Sequence, residues 1–239
     1  LLVLAGTPYE MGHRYAELME PTGDIKSFLP LFLASAQVQD PVKFSTVNLD
    51  AAWNKAAPYM EARVVDEMNG MAEGLAVTGT GHAADVTRWF NLLRRVHMIP
   101  SLQSYSCSSV AAWKDATSSG DVLQARDLDW TLIAHLQDYP CIVVYLPENG
   151  SPHVNVTSAG MIGVHTGFNL AGISLAEIGV ATPEPYDLRG ESFMSFSRTI
   201  LYDAKNLDSA ADIIKTARRI KNYDYVIADG RWQRAAAKI

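Results

Sequence analysis

The sequence predicts a layered α+β protein in which helices cover antiparallel sheets, and three observations carry that expectation. The first hundred residues place apolar side chains at helical spacing. From Cys107 to about residue 179 the chain breaks into short β-like runs separated by turn signals, and two helical segments followed by two more strands complete it.

Residues 1–4 read as a short strand. Thr7-Pro8-Tyr9-Glu10 then carries a helix start, in which Thr7 caps, Pro8 suits the first turn and Glu10 completes a capping box; the helix should run to about Met19. Residues 58–76 place Met60, Val64, Val65, Met68, Met71 and Leu75 at spacings of three and four. Residues 85–96 do the same with Val86, Trp89, Phe90, Leu92, Leu93 and Val96, so two more helices are expected. Strands are expected at 109–113, 122–126, 141–146, 153–157, 161–165 and 173–179. Helices follow at 193–203 and 207–220, the second capped by Asp208-Ser209, and then strands at 223–228 and 234–239. Residues 232–239 read as the start of a strand that pairs with 223–228 across a turn at Asp229-Gly230, and the chain is expected to be a fragment of a longer protein.

With 239 residues, 48% of them hydrophobic, the chain can bury a sizeable core, and one domain is expected. Charged residues are only 19%, and the net charge of -6 is mixed along the chain, which argues against a nucleic-acid partner. The longest apolar stretches, 28–36 and 141–146, fall short of the roughly 18–20 residues that cross a bilayer, so a soluble protein without a membrane span is expected. The chain begins at Leu1 without a leader pattern, implying one removed or never present, and the compartment stays open.

Two cysteines are too few for a disulfide framework. Cys141 opens the apolar run Cys141-Ile142-Val143-Val144-Tyr145 and reads as a small core hydrophobe, whereas Cys107 lies among hydroxyl residues in Ser104-Tyr105-Ser106-Cys107-Ser108-Ser109. A thiolate is a strong nucleophile when a base or a positive neighbour favours it. At the first position of a chain, cysteine carries its own base, an α-amine with a pKa near 7.7–8.0. Residues 120–130 read as a strand returning onto 109–113 through a turn at 115–120. That hairpin brings Arg126 and Asp129 to the sulfur, Arg126 to stabilise the thiolate and Asp129 to orient a free amine.

At these residues the sequence resembles a known family. Cys107-Ser108-Ser109-Val110-Ala111, with Trp113 and Asp115-Ala116-Thr117, followed by Ala125-Arg126-Asp127-Leu128-Asp129-Trp130, is similar to the start of the mature β chain in relatives of acyl-coenzyme A:6-aminopenicillanate acyltransferase. Bile salt hydrolases, penicillin V acylases and acid ceramidases are distant members of that N-terminal nucleophile superfamily. Three further segments extend the likeness along nearly the whole chain. Gly6-Thr7-Pro8-Tyr9-Glu10-Met11-Gly12 resembles the family's pro-segment opening. Thr166-Gly167-Phe168-Asn169 with Ala171-Gly172-Ile173, and Tyr223-Asp224-Tyr225-Val226-Ile227-Ala228-Asp229-Gly230, resemble two of its strands.

The resemblance implies a four-layer αββα sandwich of two antiparallel sheets covered by helices. It also implies self-cleavage between Ser106 and Cys107 and cleavage or transfer of an acyl group at a non-peptide amide through a thioester. Residues 1–106 would be a mostly helical pro-segment or α chain and 107–239 the β chain, C-terminally incomplete, together one structural domain. The fragments would stay associated, a homo-oligomer is compatible, the substrate is a small-molecule acyl amide, and no cofactor is implied. Cys107 matches the nucleophile and, through its amine, the base; Arg126 and Asp129 match the arginine and aspartate of the family motif. The chain departs in having Ala125 for a common glycine, Asp127 for asparagine, and Gly179, near Glu177, where relatives place an asparagine oxyanion donor. A second donor motif would lie beyond Ile239.

Trp130, Phe168, Asn169 and Glu177 are the candidate pocket residues, with Tyr186 as a further aromatic; Asn169 also suits a turn before Gly172. The histidines His13, His82, His97, His135, His153 and His165 lack ligand spacing, and no metal site is expected. Gly160, Gly163, Gly167 and Gly172 form no phosphate loop. Two other classes remain open: an uncut binding module with the same fold, and an ordinary cysteine hydrolase with a Cys-His pair.

Overall fold

A computed structural model describes residues 1–77, 83–103, 105–180 and 186–239. Ser104 of the polar stretch and His82 lie outside the described residues. In chain order the elements are β1 (Leu2–Gly6), α1 (Pro8–Met19), α2 (Asp24–Gln39), α3 (Thr46–Ala56), α4 (Ala62–Val77), α5 (Ala83–Leu102), β2 (Ser106–Ala112) and β3 (Leu123–Asp129). They continue as β4 (Pro140–Pro147), β5 (His153–Ser158), β6 (Thr166–Asn169), β7 (Ile173–Ile178), α6 (Phe193–Asp203), α7 (Leu207–Thr216), β8 (Asp224–Asp229) and β9 (Ala235–Lys238). The protein is thus a mixed α+β fold with one large sheet.

That sheet has seven strands in the order β1-β4-β5-β6-β7-β8-β9, and β2 and β3 form a separate two-stranded ribbon. All neighbours are antiparallel except β1 and β4, which run parallel, so the sheet is mixed rather than purely antiparallel. The long excursion through five helices between β1 and β4 frees β1 to join in either direction. β8 and β9 pair across the turn expected there, with Val226 opposite Lys238 and Asp229 opposite Ala235.

Local chemistry explains the elements that were expected. Thr7 caps α1: its backbone N–H donates to Glu10 Oε2 at 2.8 Å, and its hydroxyl accepts from Glu10 N at 3.3 Å. α1 and α4 cross at Gly12 and Gly70, where a Cβ on either residue would strike the carbonyl of Glu67 or Tyr9.

Several boundaries differ for identifiable reasons. α4 begins at Ala62, because residues 57–59 around Pro58 form a separate 3-10 turn. α7 is capped by Asn206 rather than Asp208-Ser209 and stops at Thr216, after which Arg219 bridges Glu191. α2 and α3 were not marked by periodicity: α2 buries Ile25, Phe28, Leu29 and Phe32 and carries Pro30 in its interior. Residues 161–165 are not a strand. Met161, Ile162 and Val164 are fully buried in an irregular segment whose amides go elsewhere, Ile162 N to His97 Nε2 at 2.9 Å and Val164 N to the Met194 carbonyl at 3.2 Å. The polar segment around the expected cut is paired, since Ser106–Ala112 is strand β2 with Ser106 opposite Asp129. Hydroxyl side chains facing solvent on alternate positions are compatible with a ribbon strand.

The core lies between the sheet and the helices, with Val143, Tyr145, Ile173, Leu175, Tyr225 and Ile227 packed against buried residues of α1, α2, α4, α5 and α6. Within it, Glu67 on α4 and Arg198 on α6 form an ion pair at 2.8 Å with both side chains fully buried. Arg198 also stacks 3.7 Å from the Tyr145 ring centroid and donates to His153 Nε2 and the Ile162 carbonyl. The ribbon covers the opposite face of the sheet at β7, β8 and β9. Farther along the sheet, Val3, Ile142, Leu146, Val156 and Phe168 are between 43% and 55% exposed. Among the described residues no helix is long and apolar enough to cross a membrane.

Candidate active site

The β2–β3 ribbon alternates. Cys107, Ser109 and Ala111 on β2 and Gln124, Arg126 and Leu128 on β3 are half-buried, while the residues between them are exposed. Cys107 lies opposite Leu128, and Ser109 opposite Arg126. Two ties hold this face onto the large sheet: Gln124 hydrogen-bonds the Ser174 hydroxyl on β7 and donates to the Val226 carbonyl on β8 at 2.8 Å, and Arg126 Nε donates to the Glu177 carbonyl at 3.1 Å.

Arg126 is the hub. Its Nη2 donates to Cys107 Sγ at 3.0 Å and lies 3.3 Å from Glu177 Oε2, with the Arg126 side chain 5% exposed and that of Glu177 fully buried. The backbone N–H groups of Gly179 and Asp129 also face the sulfur and favour its thiolate. Burial pushes the Cys107 thiol above its ordinary value and the Glu177 charge adds to this, against the pull of the Gly179 N–H, Arg126 and the Asp129 N–H. Burial likewise raises Glu177 to about 7, opposed first by Arg126. A cation and two amide donors therefore converge on a thiol that still needs a base.

Asp129 reaches the sulfur through its backbone; its carboxylate is on the exposed side of β3, next to Ser106. Glu177, one of the candidate pocket residues, points into the site. Asn169 does not: its amide donates to the Leu201 and Ala204 carbonyls at 3.1 and 2.8 Å and accepts from Ile173 N at 3.0 Å, tying the β6–β7 turn to the end of α6. Phe168 is 52% exposed and lines a small pocket beside Gln124 and Ser174. Tyr186 lies apart, under the ammonium groups of Lys43 and Lys221.

Beside the ribbon opens a cleft of about 360 Å³ lined by Arg126, Leu128, Trp130, Leu136, Val156, Met161, His165 and Thr166, largely apolar with a few polar groups. Tyr105 packs on its Trp130 wall at 4.4 Å between ring centroids, and on Phe193 at 6.2 Å. The Tyr105 hydroxyl faces the Glu177 carboxyl, and Trp130 Nε1, His165 Nε2 and Thr166 Oγ1 are buried without a hydrogen-bond partner. Burial depresses His165 to about 3, with the Arg126 charge adding to this, so its ring is neutral. Among the described residues the sulfur's partners are Arg126, Gly179 and Asp129, and no histidine joins them; no cluster of three or more metal-ligating side chains is present either.

Tyr105, His165, Phe193 and the Gly179 amide were not singled out as parts of the site by the sequence. Tyr105 stands within the polar stretch that marked the cut, which was its only signal; the others come from distant segments.

No family model matches the sequence. The chain is 27% identical over 246 residues to protein dcd1B of Dictyostelium discoideum, covering 93% of this chain and 47% of that protein. It is 24% identical over 254 residues to protein dcd1A of the same organism, covering 92% and 53%. An uncharacterized protein of Archaeoglobus fulgidus is 23% identical over 250 residues, covering 97% and 41%. The chain spans about half the length of the curated relatives it matches.

Proposed function

We propose that this chain belongs to a self-processing cysteine amidohydrolase or acyltransferase of the N-terminal nucleophile type, acting on a non-peptide amide. The observation that carries the reading is the convergence of the Arg126 guanidinium and the Gly179 and Asp129 amides on the Cys107 sulfur. A structural cysteine in a core needs no such donors. Helices, a seven-stranded sheet and a ribbon stacked in that order supply three layers of the αββα arrangement that goes with this chemistry.

In the uncut chain Cys107 Sγ attacks the Ser106 carbonyl carbon. The S–C bond forms as the C–N bond breaks, the thiol proton passes to the nitrogen, and the Cys107 α-amine is born. Water then hydrolyses the thioester, leaving the Ser106 carboxylate and a free thiol. In the mature protein that amine, beside the Asp129 carboxylate, takes the thiol proton and returns it to the leaving amine of the substrate. The acyl group resides on Sγ as a thioester until water or another amine accepts it. Arg126 stabilises the thiolate, and the Gly179 and Asp129 N–H groups supply fixed dipoles at the reacting centre.

A second reading, an uncut binding protein, draws on the regular pairing of Ser106 with Asp129 and on the raised thiol. Intact mass separates the two. The enzyme reading expects fragments ending at Ser106 and beginning at Cys107, abolished in Cys107→Ala. A chain that stays whole, or a Cys107→Ala variant that is cut normally, overturns it.

A further inference from the structure

Three places in the sequence set an asparagine or aspartate directly before a glycine: Asn69-Gly70, Asn149-Gly150 and Asp229-Gly230. Such a pair can close on itself, because the glycine nitrogen reaches the side-chain carbonyl carbon and the missing Cβ leaves that approach open. The fold decides which pair is free to do so. Gly70 lies inside α4 with its N–H in the helix ladder, and α1 presses so close that a Cβ there would strike the Tyr9 carbonyl. The Gly230 N–H donates to the Gly172 carbonyl at 3.0 Å, and Asp229 is fully buried, its Oδ1 accepting from the amides of Arg231 and Trp232 at 2.9 and 2.8 Å. Asn149 and Gly150 instead lie exposed in the turn between β4 and β5. Among the described residues neither the Asn149 side chain nor the Gly150 N–H makes a hydrogen bond.

This turn is seated on the seam between α4 and α6. Gly150 has a φ of 106°, and a Cβ on it would come within 2.7 Å of the Tyr202 ring and 3.5 Å of Arg63 Nη1. The Ser151 N–H donates to the Tyr202 carbonyl at 2.8 Å. Arg63 stacks on the Tyr202 ring at 4.2 Å and holds the Asp203 carboxylate at 2.9 and 2.6 Å, while Arg198 donates to the Tyr202 hydroxyl at 3.1 Å.

We infer that Asn149 is a site of non-enzymatic deamidation through a succinimide with Gly150, and that the modified turn loosens the α4–α6 seam. The inference is independent of the chemistry at Cys107. The Gly150 nitrogen attacks Asn149 Cγ; the N–Cγ bond forms as the Cγ–Nδ2 bond breaks, and the Gly150 amide proton leaves with the ammonia. Water then opens the imide at Cγ to give aspartate, or at the backbone carbonyl carbon of residue 149 to give isoaspartate, whose main chain runs through Cβ and Cγ and is one atom longer. Either product gains a negative charge and about 1 Da. That charge arises beside the carboxyl end of α6, where the helix dipole is already negative and Arg63 already serves Asp203 and Glu61. The longer chain of the isoaspartate also lifts Gly150 from its seat on Tyr202.

The test treats the native protein, and the same protein unfolded in urea, with hydroxylamine, which opens a succinimide and severs the chain there. Fragment masses report each cut. Cutting after Asn149 in the native protein should run within about threefold of its rate in urea, whereas cutting after Asn69 should be at least about tenfold slower in the native protein than in urea. Asn149→Gln, whose longer side chain closes no five-membered ring, should lose the first cut alone. A native protein spared at Asn149 as fully as at Asn69 overturns the site. The coupling to the seam is read after storage in warm, mildly alkaline buffer, with isoaspartate located at residue 149 by peptide mass and by isoaspartyl methylation. The urea midpoint of the modified protein should fall by at least about 0.3 M, while Asn149→Gln stored alongside keeps its own. A modified protein whose midpoint is unchanged overturns the loosening of the seam.

Discussion

Replacing Arg126 by methionine removes a guanidinium hydrogen bond 3.0 Å from the Cys107 sulfur while keeping most of the apolar stem. At an effective dielectric of about 20, a full charge pair at that distance is worth about 5.5 kcal/mol, an upper bound before desolvation. A hydrogen bond to a charged group contributes about 1.5–3 kcal/mol net, which is about 1–2 pKa units on the thiol. Glu177 complicates the sign. It shares Arg126 with the sulfur, and without the guanidinium its carboxyl rises further and sheds its charge, relieving the thiolate of a repulsion. The clean comparison is therefore Arg126→Met/Glu177→Gln against Glu177→Gln alone, where the thiol should rise by about 1–2 units. The assay is the pH dependence of iodoacetamide labelling, with cut and uncut species read separately by mass and buried Cys141 as the internal reference. A shift below about 0.3 unit in that pair would refute the claim that Arg126 holds the thiolate.

The remaining predictions concern stability in the uncut Cys107→Ala background. The native state keeps a proton on Glu177 up to about pH 7 that the unfolded chain releases in the ordinary carboxyl range. The unfolded state therefore binds fewer protons between about pH 4.5 and 7, and stability falls as pH rises through that window. Glu177→Gln should reduce the fall in unfolding free energy measured by urea denaturation, by roughly 3 kcal/mol at most, and an unchanged pH profile would contradict the assignment. Arg198→Met leaves Glu67 buried without its partner and should cost about 3–5 kcal/mol, whereas Glu67→Leu/Arg198→Met should recover most of that in the same denaturation experiment. A double variant as unstable as the single one would show that the cation–π and backbone contacts of Arg198, not the ion pair, hold the helices together.

The legible parts of the molecule were those written in neighbouring residues. Thr7, Pro8 and Glu10 fix the start of α1, and the turn before Gly120 makes the hairpin that carries Arg126 to Cys107, so the meeting of that thiol and that cation was readable from one stretch of chain. Glu177 and Gly179 reach the same sulfur from the end of β7, some seventy residues later, through the packing of one sheet on another, which no local period encodes. The buried run 161–165 failed for a related reason. Apolar residues tucked beneath α6 look like a strand in sequence whether their amides pair with a strand, with His97 or with Met194. Asp129 shows the limit from the other side: the hairpin delivers the residue, but the alternation of β3 puts its carboxylate on the exposed side and leaves its amide toward the thiol.

β1 forms an edge of the large sheet beside β4, and α4 is pinned to α6 through Glu67 and Arg198, so the stretch before Cys107 and the stretch after it are interleaved in one core. If the chain is cut at Cys107, the order of events becomes part of the molecule's identity. The core is assembled while the two stretches are one polymer and ring closure is cheap, but once severed they would have to find each other as separate solutes. The mature form would then be a product with a history. Heating it should be a one-way passage, its lifetime set by how slowly the interleaved parts come apart rather than by any balance between folded and unfolded populations.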